Sequence, residues 1–153
     1  MLDLRIALAV HVISVIWWIG GLAMVTTVLL PGLRHGFHPD PGSALAYIER
    51  HFAPQARVAV LLVGVTGVYM LSRLHAWRWL ESSQFWWLDA MLGYWFLFAL
   101  MLFVLEPLGL HRWMKREATA DGNRLRRIHR VHALMLLLGI VIVLGAVMGN
   151  HGF

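Results

Sequence analysis

The sequence predicts an all-α integral membrane four-helix bundle. Of its 153 residues, 59% are hydrophobic and only 14% are charged, which is far from the composition of a soluble domain. The first of four apolar runs is longer than the roughly 20 residues that cross a hydrocarbon layer of about 30 Å, and the other three are close to that length. The segments between them are rich in proline, glycine, arginine and tryptophan, as is typical of membrane boundaries. We therefore expect one transmembrane domain over residues 1–153, with spans at about 4–30, 54–74, 86–105 and 131–149.

The first span contains an ionisable side chain, His11, within its apolar run. Ser14, Trp18 and Gly21 follow at helical spacing and therefore share its face. An imidazole in contact with lipid is costly, so we expect this face to turn toward the other helices, toward water, or toward a bound metal or haem. The run exceeds the apolar core of about 7–15 residues in a secretory signal, which favours a retained helix.

Proline and capping residues predict the helix boundaries. Pro31 is expected to end the first span, and Pro54 to begin the second. Between them, Ser43 can cap a short amphipathic helix that reaches His51 and lies at the membrane interface. Tryptophans before the third span are interpreted as an anchoring belt at the headgroups. Close helix contacts are expected at Gly64, Gly67, Gly145 and Gly149.

The distribution of basic residues predicts the orientation. The first and third loops with their flanks hold ten of the 13 Lys and Arg residues, and the opposite side holds Arg5, Arg73 and Arg78. By the positive-inside rule, the two basic loops are cytoplasmic and both termini are periplasmic, in a bacterial inner membrane. The formal charge of +5 is then explained by contact with lipid headgroups, and nucleic-acid binding is not expected.

With this topology the nine histidines fall into two layers. The outer layer comprises His11, His75 and His151, and the inner layer comprises His35, His38, His51, His111, His129 and His132. Because His11 and His132 belong to opposite layers, they cannot bind the same metal ion. The histidines that we expect to bind metal are His11, His132 and His151.

A bis-histidine haem needs two imidazoles from facing helices at similar depth, a site that four-helix bundles can build in their cores. In the outer layer His11 can pair with His151 or with His75. In the inner layer the candidate cofactor ligands are His51, His111 and His132, with Arg57 and Arg130 available for the haem propionates.

The chain has no cysteine, which excludes disulfides, thiolate metal sites, c-type haem and iron–sulfur clusters. Copper is the alternative cofactor, because imidazole and thioether groups suit it. Its candidate ligands are His11, His75 and His151 with Met70 or Met148. The sequence contains neither a nucleophile-elbow motif nor a phosphate-binding glycine-rich loop, which leaves hydrolytic catalysis without support.

The first helix, in which His11 is followed by Trp18-Ile19-Gly20-Gly21, resembles the opening helix of copper-resistance D (CopD) type membrane domains and of HemJ-type protoporphyrinogen oxidases. The segment Ala53-Pro54-Gln55-Ala56-Arg57 before the glycines of the second span is similar to the first group. The resemblance implies a four-helix layout, b-type haem with His11 as a ligand, and a HemJ-like oxidoreductase as one reading of its activity.

Three functions follow from these observations. The first is a protein that binds haem b and transfers electrons, alone or as a subunit of a redox complex, with a quinone or a redox protein as partner. The second is CopD-like copper handling. The third is a structural subunit without a cofactor. We also expect contact with membrane lipid, and a homo-oligomer is compatible with the glycines.

Overall fold

A computed structural model describes residues 1–36, 39–105 and 122–150, and within these residues the regular structure is entirely helical. We name the four long helices α1 (Leu2–Arg34), α2 (Pro41–Arg73), α3 (Ser83–Leu105, α-helical from Trp86) and α4 (Gly122–Asn150). All four contain stretches long and apolar enough to cross a membrane. The predicted fold class, an all-α four-helix membrane bundle, is confirmed.

The four helices pack in the order of the chain and close into a ring. α1 contacts α2 along much of its length, α2 contacts α3, α3 contacts α4, and α4 returns to α1. Successive helices run in opposite directions. The central cluster takes buried residues from every helix: Trp18, Ala59, Val60, Val63, Tyr94 and Ile142. The Trp18 ring lies 5.4 Å from that of Tyr94 and 4.9 Å from that of Phe98.

The predicted interfacial helix from Ser43 to His51 is not a separate element. It forms the first turns of α2, which continues through Pro54 to Arg73. A proline inside a helix removes one hydrogen bond, and membrane helices tolerate this loss where neighbouring groups compensate. Here Ala53, Ala56 and Ala59 are buried beside Pro54, so packing of small residues holds the helix together across the proline.

Two π-helical segments lie at corresponding places in α1 and α3. They comprise Val25–Leu29 and Met101–Leu105, and each ends two residues before a proline, Pro31 and Pro107. A proline ring clashes with the carbonyl four residues earlier, and the wider π turn moves that carbonyl aside. For this reason α1 does not end at Pro31, as the sequence predicted, but continues to Arg34. Pro107 itself lies outside the described residues.

Aromatic side chains of one helix pack against glycines of the neighbouring helix. A methyl group added at Gly139 would lie 2.9 Å from the Tyr94 hydroxyl, and one at Gly145 would lie 2.8 Å from the Trp86 ring. The same pairing joins Gly21 to Phe52, Gly64 to Trp95, and Gly149 to Trp87. The predicted contacts at Gly64, Gly145 and Gly149 therefore exist, but an aromatic ring lies against each glycine.

Two hydrogen bonds fix the rings of α3 in these positions. Trp95 Nε1 donates to the carbonyl of Val60 at 2.8 Å, and the Tyr94 hydroxyl donates to the carbonyl of Met135 at 2.8 Å. Each bond satisfies the polar atom of a large aromatic side chain inside the bundle. Together with the glycine contacts they set the spacing of α3 from α2 and α4.

Candidate cofactor site at the α1–α2 seam

His11 lies on the face of α1 that packs against α2. Its Nδ1 is 2.9 Å from the hydroxyl oxygen of Thr66, and that hydroxyl is 2.5 Å from the carbonyl oxygen of Leu62. A hydroxyl has one proton, which Thr66 donates to Leu62, so Thr66 must accept a hydrogen bond from Nδ1–H of His11. The imidazole is therefore assigned as the Nδ1–H tautomer, with a lone pair on Nε2.

Gly67 of α2 lies beside the imidazole. A methyl group added at this position would lie 3.5 Å from Cε1 of His11, which is an ordinary van der Waals separation, so the space between the ring and α2 is wide enough for one methyl group. Thr66 fixes the tautomer of the ring through the hydrogen bond to Nδ1. A histidine that donates its second ring N–H to a fixed acceptor is the usual arrangement of a metal-ligating imidazole.

The face that carries His11 turns into the bundle, as the sequence predicted. Ser14 and Trp18 are buried, with 3% and 6% of their surface exposed, and the Ser14 hydroxyl donates to the carbonyl of Val10 at 2.7 Å. Trp18 Nε1 is buried and has no hydrogen-bond acceptor among the described residues. A polar group in this position is able to bond to an acceptor that enters the seam.

The same seam ends, near the first residues of α1, in an ionic cluster around Asp3, which the sequence analysis missed. The Asp3 carboxylate accepts hydrogen bonds from the Met1 ammonium group at 2.8 Å, the Tyr69 hydroxyl at 2.8 Å and the Arg73 guanidinium at 2.9 Å. The cluster ties the start of α1 to the end of α2. An acidic residue and a basic residue at the adjoining ends of two antiparallel helices could have indicated it.

His75 is separated from His11. It is the second residue after α2, has a left-handed backbone conformation with φ of 51°, and is exposed. It lies eight residues beyond Gly67, which corresponds to about 12 Å of helical rise, so the two histidines are at different depths. His151, the other proposed partner of His11 in the outer layer, lies outside the described residues.

The structure also separates His11 from His132. Gly139 of α4 lies against Ile19 of α1. His132 is seven residues before Gly139 and His11 is eight residues before Ile19, and because the two helices are antiparallel these offsets run in opposite directions. These offsets add to a separation of about 22 Å along the bundle axis. The two histidines therefore belong to different levels, in agreement with the sequence argument.

Three of the histidines assigned to the inner layer make short hydrogen bonds within their own helices. Nδ1 of each ring lies near the carbonyl oxygen four residues earlier, at 2.8 Å for His51, 3.0 Å for His132 and 2.7 Å for His35. A carbonyl accepts only, so each ring is the Nδ1–H tautomer. Within the described residues no group of three or more His, Asp or Glu side chains could hold a metal ion. Of the other three members of this layer, His129 contacts Arg34 of α1, and His38 and His111 lie outside the described residues.

The two arginines expected near haem propionates differ in their surroundings. Arg57 is partly buried, and its Nε donates to the carbonyl of Leu102 at 3.2 Å, whereas Arg130 is exposed. In a π-helix the carbonyl of Leu102 would pair with the N–H of residue 107, which is a proline and has none. Arg57 thus donates to a carbonyl that Pro107 cannot satisfy.

The tryptophan-rich segment between α2 and α3 contains both exposed and packed rings. Trp77, Trp79 and Trp86 are 47%, 38% and 51% exposed, and Trp79 stacks on Phe85 with ring centroids 4.9 Å apart. Trp87 instead packs against Gly149. The exposed rings suit the predicted belt at the headgroups, which stays a prediction.

The fold and the seam define a class of protein: an integral membrane bundle with four candidate spans and an oriented histidine between the first two. Comparison of the chain with protein-family models, with curated proteins and with solved structures finds no match.

Proposed function

We propose that this protein binds b-type haem in a bacterial inner membrane and transfers electrons, alone or as a subunit of a larger redox complex. His11 is the axial ligand in this proposal. The observation that carries it is the hydrogen bond from His11 Nδ1–H to Thr66, because it leaves the Nε2 lone pair for a metal ion.

Two further side chains at the inner part of the seam have chemistry that suits a haem. Arg57 lies nine residues before Thr66 on α2, or about 13 Å along the helix, and a guanidinium is the usual partner of a propionate. Trp18, between these two levels, supplies a buried N–H that has no acceptor within the described part of the chain. Haem, when bound, would supply reversible exchange of one electron with a quinone or a redox protein.

The chain itself holds the ligand in place. Thr66 fixes the imidazole in one tautomer, and its hydrogen bond makes Nε2 more basic. The Asp3 cluster joins the start of α1 to the end of α2 beyond His11 and so opposes separation of the two helices. His51 and His132, with Nδ1–H groups directed to carbonyls of their own helices, remain candidates for the inner level.

The test is an absorption spectrum of the full chain, purified from cells supplied with ample haem precursor, in the oxidised and the reduced state. A Soret band is expected in the wild type and in His35→Ala, and its loss is expected in His11→Ala. His35 is a matched control because it is an exposed histidine of the same tautomer and is not among the candidate ligands. A wild type without a Soret band would refute the proposal.

The same preparation tests copper, for which an imidazole Nε2 is also a suitable ligand. If the wild type is colourless and binds copper, and if the His11→Ala variant does not bind copper, then the ligand of His11 is copper and not haem. A wild type that binds neither would leave the His11–Thr66 bond as a contact between helices in a structural subunit.

A further inference from the structure

The inner ends of α1 and α4 meet at a contact between two basic side chains. Arg34 Nη1 lies 3.1 Å from Nδ1 of His129. Arg34 is the last residue of α1, and Leu30 and Leu33 immediately before it are 0% and 4% exposed. Because the end of α1 packs against α4, these buried leucines hold the Arg34 backbone in place beside His129.

This contact presents only hydrogen-bond donors to its surroundings. A guanidinium has no acceptor, so Nδ1 of His129 accepts from Arg34 and the proton of the neutral ring resides on Nε2. Arg126 is three residues before His129 and four before Arg130, and these spacings place all three side chains on one strip of α4. The strip and Arg34 together carry positive charge and N–H groups.

The position of this strip matches the boundary of the hydrocarbon layer. The apolar part of α4 begins at Val131, directly after Arg130, and the apolar part of α1 ends at Leu33, directly before Arg34. Side chains at these positions reach the level of the lipid headgroups. Phosphate oxygens accept hydrogen bonds only, and guanidinium groups bind them through paired N–H donors.

We propose that Arg34, His129 and Arg130 form a binding site for the phosphate of an anionic phospholipid headgroup, at the inner end of the α1–α4 seam. A headgroup that also carries a quaternary ammonium is disfavoured, because the arginines repel it. The site is independent of His11, which lies on the α1–α2 seam toward the opposite end of the bundle, and it does not depend on any cofactor.

The experiment measures binding of a short-chain phosphatidylglycerol to the full chain in detergent by native mass spectrometry. Short-chain phosphatidylcholine is the neutral comparison, and inorganic phosphate tests for binding of a bare anion. The variants are the double substitution Arg34→Ala with Arg130→Ala and, as a matched control from the opposite end of the bundle, Arg5→Ala with Arg78→Ala. All four arginines are exposed, so each pair removes the same surface charge.

The wild type is expected to bind phosphatidylglycerol at least about tenfold more tightly than phosphatidylcholine, since each headgroup-level arginine contributes about fivefold. The Arg34/Arg130 variant should lose this preference and the Arg5/Arg78 variant should keep it. Equal binding of the two lipids, an equal loss in both variants, or saturation by inorganic phosphate at the same concentration would overturn the proposal. Arg130→Gln alone, at an exposed position, repeats the test if the double variant does not fold.

Discussion

The Arg57 guanidinium donates a hydrogen bond from Nε to the carbonyl of Leu102, at 3.2 Å, and so joins α2 to the π-helical turn of α3. The bond occurs where Pro107 cannot supply the N–H that a π turn requires. An arginine within a membrane-spanning segment is costly unless it is paired, and here its partner is a backbone group of the neighbouring helix.

Replacing Arg57 by methionine should therefore destabilise the bundle by about 1.5–3 kcal/mol, the usual contribution of a hydrogen bond to a charged group. The measurement is the unfolding free energy in detergent. Arg50→Met, at an exposed position of the same helix, is the control and should cost much less. Equal destabilisation by the two substitutions would contradict this role for Arg57.

Thr66→Val should weaken cofactor binding at His11 by about 10- to 100-fold, because it removes the acceptor that orients the imidazole while preserving the side-chain shape. Thr66→Ser retains a hydroxyl and should bind nearly as the wild type does. Haem titration of the apoprotein, followed by the Soret band, measures both constants. If valine and serine bind alike, the hydrogen bond has no part in holding the ligand.

Alanine substitutions at two glycines should change stability in opposite directions. At Gly64 the new methyl group collides with the Trp95 ring and should cost about 1–3 kcal/mol. At Gly93 nothing lies within 4 Å, so alanine should stabilise the helix by about 0.5–1 kcal/mol. The midpoints of unfolding, measured in one detergent, show whether each substitution stabilises or destabilises the bundle. If Gly64→Ala were stabilising, Trp95 would be able to move aside at little cost.

Single cysteines can test the proposed orientation, because the natural chain has none. His35→Cys, after the first span, and Ser83→Cys, before the third, both occupy exposed positions. In intact spheroplasts a membrane-impermeant maleimide should label position 83 and not position 35, while both should react after lysis. The reverse pattern would place the basic loops outside the cell.

The spans and the inward face of His11 could be predicted from the sequence because both follow from periodicity and from the cost of burying charge. A run of apolar residues defines a span, and the positions of His11, Ser14 and Trp18 define a face. Neither depends on how one helix is aligned with another.

The partners across the seams could not be predicted in this way. The bond between His11 and Thr66, and the cluster that joins Asp3 to Arg73, depend on the register of α1 against α2, which is set by packing along the whole interface. The continuity of α2 through Pro54 also depends on its neighbours, since contacts with α1 outweigh the local preference of proline to begin a helix.

The packing of aromatic rings against glycines limits which substitutions homologues of this protein can accept. Because Gly64 and Trp95 occupy one volume, a homologue with a larger side chain at the first position should compensate with a smaller one at the second. The pairs Gly139 with Tyr94 and Gly145 with Trp86 should covary in the same manner. In an alignment of homologues, the contacts of α3 would then appear as pairs of positions at which one side chain becomes larger when the other becomes smaller.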